Sequence, residues 1–236
     1  MKFSVDAAIF KRYPGLNLGL VLARSLNNRG DGKAIDPLIR ETEERIRNGF
    51  RTETLSMLPK VRSWRQAYSS FGAKPKKYKS SVESLYRSVL KGAGLRRINP
   101  IVDVYNTISL KHMLPVGGDD LAGVRGNIQL RFAREDERFL PLGGGDAETV
   151  KPGEVVYADD RQILCRRWNW RECEATKMSP QTADCLLLVE GLPPVTANEI
   201  DEASGDLSEW IENLCGGTMK THRLDESIPE LEFDYF

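Results

Sequence analysis

Imidazole and thiolate ligands are scarce in this chain. Its 236 residues hold two histidines, His112 and His222, and four cysteines, Cys165, Cys173, Cys185 and Cys215, with no Cys-x-x-Cys pair. A zinc site draws on such residues at close spacing, so neither a metal nor another cofactor is expected. The thiols are expected reduced and mostly buried. No Gly-x-Ser-x-Gly occurs, which excludes the serine-hydrolase elbow. The run Gly143-Gly144-Gly145-Asp146 lacks a following Gly-Lys-Ser/Thr, which excludes a phosphate-binding loop. No apolar run approaches the roughly 20 residues of a membrane span. The start, Met1-Lys2-Phe3-Ser4-Val5-Asp6, turns polar too early for a signal peptide. A cytoplasmic protein with no membrane partner is the expectation. There is no internal repeat.

What is present supports a folded chain. Hydrophobic residues make up 40%, enough for a core, and charged residues 29%, enough to keep its surface solvated. Net charge is zero but unevenly placed. Residues 1–100 hold 21 Lys+Arg and 8 Asp+Glu, a balance of +13, and residues 101–236 carry the matching −13. Such a split marks either a face for a polyanion or two halves that attract each other.

Periodicity predicts strands over Phe3–Phe10 and Leu16–Ala23, then helices over Ile35–Phe50 and Leu58–Phe71. Glu41–Arg45 and Glu43–Arg47 have the i, i+4 spacing that supports the first helix. Lys74-Pro75-Lys76-Lys77-Tyr78-Lys79 is an extended segment with an aromatic among lysines, a composition suited to a phosphate backbone. Ser80-Ser81-Val82-Glu83 reads as a capping box opening a helix to Leu90, and Asn99-Pro100 opens another. Met113–Leu121, with Gly117-Gly118, reads as irregular. Strands are expected over Gly126–Ala133, Arg138–Leu142, Glu154–Ala158, Gln162–Trp168 and Cys185–Glu190, with a loop over Asn169–Ser179. A final helix spans Thr196–Cys215, and an edge strand Thr218–Arg223. Residues 225–236 form an acidic tail or a docked strap. The fold class expected is α+β, a single domain over 1–236, with a mainly antiparallel sheet flanked by helices.

Two stretches mix polar and apolar residues where a plain helix or strand would segregate them. They are Ile98-Asn99-Pro100-Ile101-Val102-Asp103-Val104-Tyr105-Asn106 and Leu164-Cys165-Arg166-Arg167-Trp168-Asn169-Trp170-Arg171-Glu172. A strand exit carrying two Trp, an amide, a guanidinium and a carboxylate supplies pocket walls and directional contacts, the make-up of a small-molecule site. Burying Asn169, Arg171 and Glu172 without partners would be costly, which argues against plain core.

Together with Ser80-Ser81-x-Glu83-x-Leu85-Tyr86-Arg87, Leu114-Pro115-Val116-Gly117-Gly118-Asp119-Asp120-Leu121, Leu140-Pro141-Leu142-Gly143, Gly153-Glu154-Val155-Val156-Tyr157 and Thr176, these stretches resemble the B-three/B-four editing module of the phenylalanyl-tRNA synthetase β subunit. Free-standing proteins made of that module are more similar still. The resemblance is best over residues 60–192. It implies hydrolysis of a mischarged aminoacyl-tRNA ester by a positioned water, without a protein nucleophile. It also implies tRNA as partner and a pocket in a β-rich layer. Asn106, Trp168, Asn169, Arg171 and Glu172 would line the amino-acid pocket, Gly117 and Asp120 would shape the neighbouring loop, and Lys76, Lys77 and Lys79 would hold phosphates. The chain departs from the synthetase pattern Pro-Leu-His-x-Phe-Asp, with Gly117 in place of the histidine, so tyrosine selectivity is not carried over. Two other readings stay open. One is a module that binds tRNA or an amino acid without hydrolysis. The other is a protein-interaction adaptor using the acidic half and the tail.

Overall fold

The structure, a computed structural model, describes residues 1–234. Tyr235 and Phe236, the end of the expected tail, lie outside the described residues. The chain opens with strand β1 (Lys2–Val5). Asp6 then accepts a hydrogen bond from the Ala8 amide at 2.8 Å and starts helix α1 (Ala7–Arg12). An N-cap of this kind ends the strand, so the extended segment expected as far as Phe10 stops halfway. Strand β2 (Asn17–Arg24) follows, then helices α2 (Asp36–Gly49), α3 (Pro59–Ser70), α4 (Ser81–Leu90) and α5 (Pro100–His112), close to their expected bounds.

Strand β3 (Val116–Asp120) corrects the irregular segment expected there. Its Gly117-Gly118 pair reads as a turn by composition. A Cβ at Gly118 would sit 2.3 Å from the Leu186 carbonyl oxygen, so glycine is needed for close approach of a neighbouring strand. Strands β4 (Ile128–Phe132), β5 (Arg138–Phe139), β6 (Glu148–Thr149), β7 (Val155–Ala158) and β8 (Ile163–Arg166) come next. The loop expected over Asn169–Ser179 contains the short strand β9 (Arg171–Glu172). Strand β10 (Cys185–Gly191), helix α6 (Ala197–Cys215) and strands β11 (Thr218–Leu224) and β12 (Glu230–Glu232) complete the chain. The strap is docked where it is described, since β12 pairs with β1.

The fold is α+β and mainly antiparallel, with the strands in two larger sheets and a small pair. One sheet runs β12-β1-β4-β7-β8-β9, the other β11-β2-β10-β3, and β5 pairs with β6. Among the described pairs, only β1 and β4 run parallel. Strands β2 and β10 alternate between two cores, as a strand buried on both faces must. Val21, Leu187 and Val189 pack with Ile101, Val104 and Ile108 of α5 and Ile200, Leu207 and Ile211 of α6. Leu18, Leu20, Leu186 and Leu188 face the other way, toward the six-stranded sheet and helices α3 and α4. The four-stranded sheet is therefore a middle layer. The oppositely charged halves of the sequence interleave, joined by Lys2–Glu230 at 3.1 Å, Lys60–Glu199 at 2.8 Å and Arg97–Asp103 at 2.7 Å.

Helices α4 and α6 both begin with the Ser/Thr-x-x-Glu spacing of a capping box. That of Thr196 and Glu199 is complete. At α4, Ser80 accepts from the Glu83 amide at 3.4 Å, but the Glu83 side chain does not turn back. It is wholly buried and accepts from Arg65 of α3 at 2.9 Å and from Arg87 at 2.8 Å. Glu83 thus clamps two helices rather than capping one. Glu83→Ala removes the shared acceptor from both guanidiniums and should cost about 2–3 kcal/mol, read as a lower urea midpoint; Glu83→Gln should cost less.

Candidate functional site

A cavity of about 240 Å³ lies between the two larger sheets. Strand alternation builds its walls. On the six-stranded side Tyr157, Cys165 and Glu172 stand side by side across β7, β8 and β9, with Tyr157 paired to Cys165 and Cys165 to Glu172. On the facing sheet Leu188 and Glu190 of β10 and Gly117 and Asp119 of β3 point inward. The turn Trp168-Asn169-Trp170 closes one end, and Leu142 and Arg171 border it.

The turn has an unusual backbone. Arg167 and Trp168 adopt left-handed φ values of 51° and 65° without being glycine, which costs on the order of 1 kcal/mol each. Packing holds them there. The Trp168 ring is fully buried, with ring centroids 4.8 Å from Tyr13 and 4.9 Å from Trp64, and its amide donates to the Val155 carbonyl at 2.6 Å. Beyond it, the Asn169 amide donates to Glu190 and its oxygen accepts from the Tyr68 hydroxyl at 2.9 Å. The Tyr157 hydroxyl donates to the other Glu190 oxygen. Among the described residues, no acceptor meets the buried Trp168 indole N–H at hydrogen-bonding geometry. It still lies near enough to Tyr157 and Glu190 to favour their ionised forms.

Of the residues singled out in the sequence, Gly117, Trp168, Asn169, Arg171 and Glu172 meet in this cavity. Asn106 does not line it, which corrects its expected place in the pocket wall, and Asp120, expected to shape the neighbouring loop, does not line it either. Asn106 sits on α5, which packs against the far face of the four-stranded sheet. Asp120 follows Asp119 on β3 and so points to the other face. There it accepts from the Ala122 amide at 3.0 Å and the Thr182 hydroxyl at 2.6 Å. Sequence reasoning passed over Asp119, Tyr157, Cys165 and Glu190. The available signal was Glu190, a lone carboxylate closing the otherwise apolar run Cys185–Val189.

Three carboxyls thus share one small space, and burial pushes each up: Asp119 to about 7, Glu190 to about 7 and Glu172 to about 8. The Asp119 charge adds to the effect on Glu172. Glu172 opens onto the cavity while protein encloses it. The Cys165 thiol is held well above its ordinary value, by burial first and by the Glu172 charge next, which leaves it a poor nucleophile. Gly117 leaves room for Glu172, whose Oε1 lies 3.0 Å from where a Cβ at 117 would stand.

The lysine segment adjoins this end of the cavity. Tyr78 packs edge-on against Trp170 at 5.0 Å between centroids. The Arg167 guanidinium lies 3.8 Å from the Tyr78 ring centre and 4.5 Å from that of Trp170. Lys76 and Lys77 are exposed, and Lys79 is half-buried and donates to the Lys76 carbonyl at 2.8 Å. Among the described residues none of the three forms an ion pair, unlike Lys60 with Glu199.

The carboxyls make stability depend on pH. Their unfolded values are about 4, so the fold retains protons that the unfolded chain has released. Their contribution is complete below about pH 4 and is lost as pH rises through about 7 to 8. The melting temperature should therefore fall between about pH 4 and about pH 8, and fall less in Glu172→Gln, which cannot ionise.

The chain matches the B3/4 domain over residues 63–216, more than half its length. It is 36% identical over 78 residues to the phenylalanine–tRNA ligase beta subunit of Fusobacterium nucleatum, covering 33% of this chain and 10% of that protein. With the same subunit of Colwellia psychrerythraea it shares 40% identity over 75 residues, 32% of this chain and 9% of that one. It therefore spans about a tenth of the length of these curated relatives. An N-terminal fragment of the phenylalanyl-tRNA synthetase beta subunit from Pyrococcus horikoshii superimposes with a TM-score of 0.48 at 13% identity, covering 92% of this chain and 49% of the fragment. By the extent of the family match, the chain belongs to the B3/4 domain family.

Proposed function

We propose that this protein is a trans-acting aminoacyl-tRNA deacylase. The observation that carries the reading is a cavity between two sheets whose end residue Trp170 packs edge-on against Tyr78 of the lysine segment. An amino-acid-sized space and a surface for nucleic-acid phosphates then share one border. Lys76 and Lys77 would contact the tRNA backbone, Lys79 would brace the segment, and Trp170 and Tyr78 offer aromatic surface to the terminal nucleotide.

The reaction is ester hydrolysis. Water adds to the ester carbonyl, the bond to the ribose oxygen breaks, and that oxygen leaves as the hydroxyl of the tRNA terminus. No histidine lines the cavity among the described residues, and its cysteine is held protonated. The rate would come from positioning and from an enclosed polar environment rather than a covalent intermediate. Asn169, fixed by Tyr68 and Glu190, and Arg171 at the border would orient the aminoacyl group.

A panel of mischarged tRNAs tests this. Purified protein should release amino acid from at least one, and Arg171→Ala should slow release by about tenfold with an unchanged melting temperature. Asn169→Ala should slow it as well, and should cost about 1–2 kcal/mol of stability because Tyr68 and Glu190 lose a partner. Silence across the whole panel would overturn the proposal. In a separate measurement, the Lys76→Ala/Lys77→Ala double variant should bind tRNA more weakly. Its log–log salt slope should be shallower by about 1.5, the loss expected for two phosphate contacts.

A further inference from the structure

Asp119 and Glu172 form a corner of the cavity that lacks a counter-charge. Arg171 is the one cation in the cavity wall among the described residues, and it stands at the border rather than in this corner. Its guanidinium donates to the Leu142 carbonyl at 3.3 Å and lies 3.9 Å from Glu148. Glu190 is already engaged by Tyr157 and Asn169. Asp119 accepts from the Thr176 hydroxyl at 2.5 Å. No side chain donates to Glu172 among the described residues, and the Gly118 amide is the donor that favours its charge. In the same wall the Trp168 indole N–H lies by Tyr157 and Glu190 and favours their ionised forms, so it leaves Glu172 without a partner. The Ser81 hydroxyl, which also lines the cavity, is buried and has no hydrogen-bond partner among the described residues. A carboxyl that faces a cavity with no cation opposite it and a free hydroxyl in the same wall is open to a cationic donor. Val116, Leu142, Leu188 and Trp170 add apolar surface that suits a hydrocarbon stem.

We propose that the Asp119–Glu172 corner receives the ammonium group of an amine ligand carried on an apolar stem. This deepens the aminoacyl reading of the site by naming the chemistry the pocket selects. The ammonium is either the α-amino group of the aminoacyl moiety or the end of a basic side chain, and both would use the same two carboxylates. A ligand cation there restores the ionised form of groups that burial otherwise keeps protonated. Binding should therefore strengthen as pH rises toward about 8.

Calorimetric titration with three small amides separates the sources. L-phenylalaninamide carries only the α-ammonium, Nα-acetyl-L-lysinamide only the side-chain ammonium, and N-acetyl-L-phenylalaninamide neither. At least one ammonium probe should bind about tenfold more tightly than the neutral amide, and the tighter of the two identifies the source. Glu172→Gln and Asp119→Asn should each reduce that preference, the ratio of ammonium-probe to neutral-amide affinity, by about fivefold. Should either variant fail to fold, wild-type protein decides: its preference for the tighter ammonium probe over the neutral amide must grow between about pH 5 and about pH 7, where both kinds of ammonium stay charged. Equal binding of the neutral amide, no binding of any probe, a preference unchanged in the variants, or one flat with pH would overturn the assignment. Ammonium binding without release from any aminoacyl-tRNA would keep this assignment and sink the hydrolytic one. Release without ammonium preference would do the reverse.

Discussion

The site depends on one packing event, the insertion of Trp168 between Tyr13 and Trp64. With that ring buried, β8 cannot continue straight, and Arg167 and Trp168 take left-handed backbone conformations that neither side chain favours. The turn re-aims everything after it. Asn169 is delivered to Glu190 and Tyr68, Trp170 to Tyr78, and the chain returns as β9 with Glu172 beside Cys165. Burial of a large aromatic group supplies on the order of 2–3 kcal/mol or more, enough to offset two strained residues. The strained turn and the cavity it closes are therefore one construction.

A second constraint runs against stability. Three carboxyls in one small cavity are each pushed toward the neutral form at ordinary pH, and none is paired with a cation among the described residues. A core selected for stability alone would favour apolar groups of similar volume. The surrounding layers are otherwise well satisfied. Glu83 is shared by two arginines, and Asp103 accepts from Arg97 at 2.7 Å and from the Ile98 amide at 2.8 Å. The contrast sets the cavity apart as the least compensated part of the interior among the described residues.

Much of this was legible before the fold was in hand. Helices α2 to α6 announce themselves through periodicity and caps, and Trp168 to Glu172 declared a pocket by mixing residue types that regular elements separate. Three things were not legible, each for a physical reason. Strand β3 hides because Gly118 marks the close approach of β10, a tertiary fact that composition renders as a turn. The choice between Asp119 and Asp120 depends on strand parity, and parity is invisible while the strand is unrecognised. Asn106 shares the mixed pattern of its neighbours, but its helix lies on the far side of the middle sheet, and no local signal reports which face a buried helix covers.

Gly117 carries one more consequence. The space its missing side chain leaves is taken by the Glu172 carboxyl, 3.0 Å from where a Cβ would stand. The two positions therefore compete for a single volume, although 55 residues of sequence separate them. A Cβ at 117 would meet only the flexible end of the Glu172 side chain, so an alanine there would displace the carboxyl by a few tenths of an ångström and a bulkier residue would push it further. The size of residue 117 therefore sets how closely the carboxyl at 172 can approach the strand opposite, and a change at one position alters the geometry of the other.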